Sequence, residues 1–119
     1  MTFYDENGNA IAYTEDSIHL YLFNGKPVVY FANEKVYGFN GSHLGWFEDG
    51  WIRDLKGKCV LFNSTATDGP IKPIKQSAPV KDIKESTPVK KSKKRVKIKN
   101  IYHSSWSHIR GKDFLLQGI

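Results

Sequence analysis

Leu20-Tyr21-Leu22-Phe23-Asn24-Gly25-Lys26-Pro27-Val28-Val29-Tyr30 reads as one β-hairpin. Asn-Gly between apolar runs is the strongest short-range hairpin signal, because a type I′ turn needs φ > 0 at both central positions. With Asn24-Gly25 as a two-residue loop, Phe23 faces Lys26 and Tyr21 faces Val28. Tyr21, Phe23, Val28 and Tyr30 then share one face, since strand side chains alternate. Leu20, Leu22, Pro27, Val29 and Phe31 share the other. Both faces are apolar, whereas a sheet with one wet face alternates apolar and polar residues. Such a sheet needs cover on both sides.

The hairpin recurs along the chain. Gly8, Gly25, Gly41 and Gly57 follow one another at spacings of 17, 16 and 16 residues. Asn7, Asn24 and Asn40 precede the first three, and Lys56 the fourth. Four residues before each glycine stand Tyr4, Tyr21, Tyr37 and Arg53. One position earlier come Phe3, Leu20, Val36 and Ile52. Three after each glycine come Ile11, Val28, Leu44 and Val60, and five after come Tyr13, Tyr30, Trp46 and Phe62. Repeats must be found before single motifs are weighed. The segments between units are short and polar (Glu15-Asp16, Asn33-Glu34-Lys35, Glu48-Asp49-Gly50), so each unit leads straight into the next. The expected fold is all-β: an antiparallel meander of four hairpin-like repeats with about eight short strands, over residues 1–64.

Aromatic residues and charge are distributed unevenly. Residues 1–62 hold thirteen of the sixteen aromatics, too many for the interior of so small a body. They hold five Lys/Arg against eight Asp/Glu, or −3. Residues 63–119 hold thirteen against four, or +9, which sums to the net +6. The simplest reading is a basic arm lying on an acidic head, in the same chain or a neighbour. A basic balance also admits nucleic acid as a partner.

Residues 65–101 form that arm. Pro70, Pro79 and Pro88 recur every nine residues. Each is followed by Ile71, Val80 or Val89 and then by Lys72, Lys81 or Lys90. Ile74 and Ile83 repeat the aliphatic step. The period of about three residues is that of polyproline II, giving an aliphatic edge, a basic edge and a Pro/Ser/Thr edge. A regular aliphatic edge predicts ordered docking rather than a free linker. Residues 102–119 read as a short apolar, partly helical tail carrying Trp106 and Phe114 that anchors on the head, with Ser105 or Ser107 as cap and Gly111 interrupting the helix.

The runs Leu20–Tyr30, Val36-Tyr37-Gly38-Phe39-Asn40-Gly41-Ser42-His43-Leu44-Gly45-Trp46-Phe47 and Asp49-Gly50-Trp51-Ile52-Arg53-Asp54 resemble the bacterial 4-fold β-flower family. So do the Pro-Val-Lys pattern of the arm and Ser105-Trp106-Ser107. The resemblance spans nearly the whole chain. It implies an all-β assembly that forms a symmetric oligomer, and it implies no enzymatic activity. The run Lys90-Lys91-Ser92-Lys93-Lys94-Arg95 departs from the commonest arm pattern.

Candidate chemistry is sparse. Cys59 is the one cysteine, and its alternation with Leu61 reads as packing. His43 reads as a half-buried strand residue with one hydrogen bond. His103, His108 and Cys59 lack any metal-ligand spacing. Asp49 suits a turn better than acid–base work. No catalytic residue, metal ligand or cofactor site is expected. The basic stretch offers phosphate contacts through Lys90, Lys91, Lys93, Lys94, Arg95, Lys97 and Lys99, without interleaved aromatics for stacking. Surfaces for oligomer contact or arm docking are expected at Tyr21, Phe23, Tyr30, Phe31, Tyr37, Phe39, Trp46, Phe47, Trp51, Ile71, Ile74, Val80, Ile83, Val89, Trp106 and Phe114. The leading expectation is a non-catalytic, self-associating structural protein, a homotetramer in the cytoplasm with no membrane contact. Nucleic-acid binding through the arm, and a peptide- or glycan-binding module using an exposed Trp46 and Trp51, are the alternatives.

Overall fold

Each of the four Gly units closes as a hairpin, but with a three-residue loop. The amide of Gly25 donates to the Leu22 carbonyl, and the amide of Leu22 donates to the Lys26 carbonyl. Only the glycine has positive φ, +90° at Gly25, while Asn24 does not. This is the pattern of a turn followed by a glycine bulge. The two-residue type I′ loop of the sequence reading is therefore corrected. The extra loop residue frees the Asn24 Oδ1 to accept from the Lys26 amide at 3.1 Å, and Asn40 does the same for Ser42 at 2.9 Å. In the outer units an aspartate that opens the turn takes over. Asp5 accepts from the amides of Asn7 and Asn9, and Asp54 from those of Lys56 and Lys58. Asp54 explains why Lys56 can replace the asparagine.

The computed structural model describes residues 1–119. Eight strands follow in chain order: β1 (Thr2–Tyr4), β2 (Ala10–Tyr13), β3 (His19–Leu22), β4 (Pro27–Ala32), β5 (Lys35–Gly38), β6 (His43–Glu48), β7 (Trp51–Asp54) and β8 (Cys59–Phe62). All neighbours are antiparallel, and β8 returns to β1 through Tyr4 and Phe62, so the meander closes into a barrel. Closure removes the two edge strands that an open meander would leave unpaired.

A register shift recurs in every hairpin, at Phe3/Tyr4, Leu20/Tyr21, Val36/Tyr37 and Ile52/Arg53. It changes the expected faces. Tyr21 pairs with Pro27 rather than Val28, and Val28 and Val29 both turn inward. The interior is filled by Phe3, Ala12, Leu20, Leu22, Val28, Val29, Val36, Leu44, Ile52, Val60 and Leu61. A barrel of eight strands has room for side chains and little else.

The tail completes this core. Helix α1 (Gly111–Leu116) begins at Gly111, which starts the helix rather than interrupting it, and Arg110 occupies its N-cap without a side-chain bond. Ser107 does not cap it. The Ser107 hydroxyl donates to Asp54 Oδ2 at 2.6 Å and accepts from the Ile109 amide. Phe114 and Leu115 are buried in the main core. Gly118 lies against Gly38, and the Asn40 amide donates to the Gly118 carbonyl. The helix thus plugs the barrel at the hairpin-turn end. No helix is long and apolar enough to cross a membrane.

Candidate functional site

The outer face of the barrel carries a belt of rings, two residues wide, built where one unit meets the next. Tyr13 stacks on Tyr21 with centroids 6.0 Å apart, and Tyr30 on Tyr37 at 5.7 Å. Trp46 pairs across the ladder with Arg53, and Phe62 with Tyr4 at the closure. This belt is the second apolar face that the sequence required to be covered.

The chain's own arm covers it. From residue 70 the arm runs extended around the barrel and passes each hairpin turn once. The amides of Gln76, Glu85, Lys94 and His103 donate to the carbonyls of Gly8, Gly25, Gly41 and Gly57. Those donors are nine residues apart, and the turns sixteen or seventeen. Each turn glycine presents a carbonyl that no barrel strand pairs, and the arm satisfies it. The approach is so close that a Cβ on Gly25 would collide with the Ile83 carbonyl oxygen. Asp82 and Lys91 add bonds to the carbonyls of Phe23 and Phe39.

The basic edge of the arm faces the belt. The Nζ of Lys81 and Lys84 lie 4.5 and 5.1 Å from the ring centres of Tyr13 and Tyr21. Lys90 lies 4.6 Å from Tyr30, Lys93 5.3 Å from Tyr37, and Lys75 5.9 Å from Tyr4. A cation over an aromatic face contributes about 0.5–1 kcal/mol at exposed sites. Lys81 and Lys84 also pair with Glu15, and Lys99, over Trp46, pairs with Glu48.

The aliphatic residues, expected at surfaces of oligomer contact or arm docking, do not hold the arm to the barrel. Ile71, Ile74, Val80, Ile83 and Val89 point into solvent, 86–93% exposed. A three-residue ribbon can turn only one edge to the head. Lysine provides both a long apolar stem for the rings and a charge for their faces. The belt residues Tyr21, Phe23, Tyr30, Tyr37 and Trp46 do meet the arm or lie beneath it. Phe31 and Phe47 are elsewhere: they pack on each other at 4.4 Å and on Phe3. Trp51 and Trp106 belong to the fourth unit, where Cys59 bridges to Trp106 and Trp51 meets the Trp106 ring edge-on at 5.5 Å.

Trp46 is 5% exposed and Trp51 0%. Neither offers the exposed ring on which the glycan or peptide reading rested. Trp51 is sealed by Nε1–H bonds to the carbonyls of Thr67 and Asp68, where the arm begins.

The fourth unit exchanges the chemistry. Where the other units have a tyrosine on the barrel and a lysine on the arm, this one has Arg53 on the barrel and Tyr102 on the arm. The Arg53 guanidinium donates to the carbonyls of Gly57 and His103. Tyr102 donates its hydroxyl to Glu48 at 2.7 Å. Burial, and then that bond, hold its phenol well above the usual range.

The seven basic residues proposed for phosphate contact fall into two groups. Lys90, Lys93 and Lys99 lie over rings of the head. Lys91, Lys94, Arg95 and Lys97 fall out of phase with the docking edge, and their charged ends lie on no ring and in no ion pair. The Cys59 thiol is buried and pushed up to about 11, by burial first. No three His, Cys, Asp or Glu side chains gather as a metal set.

Four hairpins, closed as a barrel and girdled by one nine-residue-periodic arm, point to a single architecture. A family model for 4-fold beta flower proteins matches residues 1–115. The chain belongs to the 4-fold beta flower family. The match takes in all four hairpins of the flower, its arm and most of its tail helix. In this flower the four petals are supplied by one chain. No curated protein and no solved structure matches it.

Proposed function

We propose that this beta flower protein is a self-associating structural module without catalytic function, and that copies meet through the outward aliphatic edge of the arm. The observation that carries this reading is the exposure of that edge. Ile71 with Ile74, Val80 with Ile83, and Ile98 with Ile101 form pairs on a nine-residue period, each residue at least 85% exposed. Single exposed aliphatics need no explanation, whereas a regular apolar array marks an interface. One pair stands beside three of the four hairpins, and Val89 with Ser92 beside the other. The assembly proposed is a closed homotetramer, closed symmetry being the rule for soluble homo-oligomers. Light scattering on the intact chain at micromolar concentration tests it. A multiple of the 13.6 kDa chain mass is expected, reverting to one chain mass in Ile71→Ser/Ile83→Ser/Ile98→Ser. A wild-type monomer overturns it.

A second reading rests on a different observation, the four uncommitted cations Lys91, Lys94, Arg95 and Lys97. Exposed cations without partners bind phosphates independently of sequence, with steep salt dependence. Retardation of duplex DNA at low salt, abolished in Lys91→Glu/Lys94→Glu, supports this reading. Absence of retardation at low salt removes it.

A further inference from the structure

We propose that the arm segment from Lys97 to His103 is an acid-sensitive latch, in which the hydrogen bond from the Lys97 amide to His43 Nδ1 is the one tie that acid breaks, beside the bonds of Lys99 and Tyr102 to Glu48, of Asn100 to the Leu55 carbonyl and of His103 to Gly57 and Arg53. The period of the arm exposes this bond. Positions 70, 79 and 88 are proline, and the next in step is Lys97. Pro79 lies in one hollow with Ala10, and Pro88 in one with Pro27. The residue two after the turn glycine is Ala10, Pro27, His43 or Cys59 in the successive units. A proline has no N–H and needs no acceptor. Lys97 has one, and His43 supplies the acceptor at 3.1 Å.

Both imidazole nitrogens are committed. Because Nδ1 accepts, it carries no proton, so Nε2 carries the ring proton and donates to the Gly45 carbonyl at 2.9 Å. A second proton on Nδ1 would set one N–H against another. It would also place a charge on a side chain 3% exposed. The charged groups acting on the ring are Lys35 from β5 and Lys97 from the arm, both cationic. Tyr37 and Trp46 present uncharged rings to it, at 5.6 and 4.4 Å.

The direction of pH dependence follows. Burial first, then Lys35 and Lys97, hold the imidazole below its ordinary 6.5, against the pull of the Gly45 carbonyl. In the open form it returns toward that value. The shut form is therefore fully favoured above pH 6.5 and loses ground as pH falls below it. Between the two pKa values the open-to-shut ratio rises by up to about tenfold per pH unit. The other titratable tie, Glu48, accepts from Lys99 and Tyr102. Those bonds outweigh burial and hold its carboxyl below the usual range, so it stays charged while His43 titrates. Opening would lift Lys99 from Trp46, while the segments around Gln76 and Glu85 keep their main-chain bonds.

Heteronuclear ¹H–¹⁵N NOE measurements on the full chain, at about pH 7.5 and 5.5, test the latch. The values for Lys97–His103 should fall reversibly on acidification while those for Gln76–Glu85 hold. His43→Gln should remove the pH dependence. His19, which pairs with Asp16 and not with the arm, is untouched in that variant and serves as its internal control. Should His43→Gln fail to fold, Lys97→Pro restores the proline of the earlier units and should likewise be insensitive to pH. A segment that stays rigid at pH 5.5, or that loosens equally in the folded variant, overturns the proposal.

Discussion

The guanidinium carbon of Arg53 lies 4.2 Å from the ring centre of Tyr102, the same pairing of cation and ring seen between Lys84 and Tyr21 with the two partners exchanged between barrel and arm. The exchange makes the pair testable as a unit. Arg53→Tyr leaves two rings facing each other, and Tyr102→Lys sets two cations together. Arg53→Tyr/Tyr102→Lys rebuilds the pairing of the other units. Chemical denaturation of the four species should give a favourable coupling of about 0.5–2 kcal/mol. Simple additivity would show that the contact does not hold the arm.

Gly25→Ala should release the arm locally. At φ +90° any side chain is strained, by about 1–2 kcal/mol, and the new Cβ meets the Ile83 carbonyl. Trypsin should then cut after Lys81 and Lys84 at least tenfold faster than in wild type, with the barrel still folded by circular dichroism. Unchanged cleavage would mean that the turn glycine is not what admits the arm.

Phe114→Ala should destabilise the whole barrel, not only the tail. Phe114 is 1% exposed in the main core, and truncating a buried Phe costs about 3–5 kcal/mol. The midpoint of urea unfolding, followed by far-ultraviolet circular dichroism, should fall accordingly. A loss below about 1 kcal/mol would show that the barrel stands without its plug.

Cys59 should be a silent thiol. With its pKa pushed from 9.0 to about 11, the thiolate fraction at pH 8 drops by about a hundredfold. Labelling with a disulfide reagent should be at least that much slower in the native chain than in denaturant. Prompt native labelling would contradict the burial.

Much of the barrel is legible in the chain because each column of the repeat repeats a physical demand. Gly25 marks a position of positive φ, and Leu20 and Val29 mark the interior. The register was not legible, because Phe23 looks equally like a last strand residue and a first loop residue. Only the pairing of Tyr21 with Pro27 decides between them. The arm shows the same division. Its three-residue phase is plain from Pro79-Val80-Lys81. Which edge faces the head is not, since Val80 and Lys81 both suit a tyrosine surface. The belt decides for lysine. Arg53 stands out in its tyrosine column, but its partner Tyr102 becomes meaningful only once the nine-residue step of the arm is laid on the turns. His43 shows why a lone histidine is hard to read: it makes two hydrogen bonds, and one partner, Lys97, lies fifty-four residues away.

The matched steps of turn and strap mean that the number of petals is written twice in one gene product, once as hairpins and once as nine-residue measures. A deletion of one hairpin would leave a measure of strap with nothing beneath it. A single residue inserted near Ser77 would rotate every later lysine off its ring and bring the aliphatic residues Val80, Ile83, Val89 and Ile98 inward in their place. The two halves of the chain can therefore change in length only together, in whole measures, while substitutions within a measure can be answered one for one across the seam.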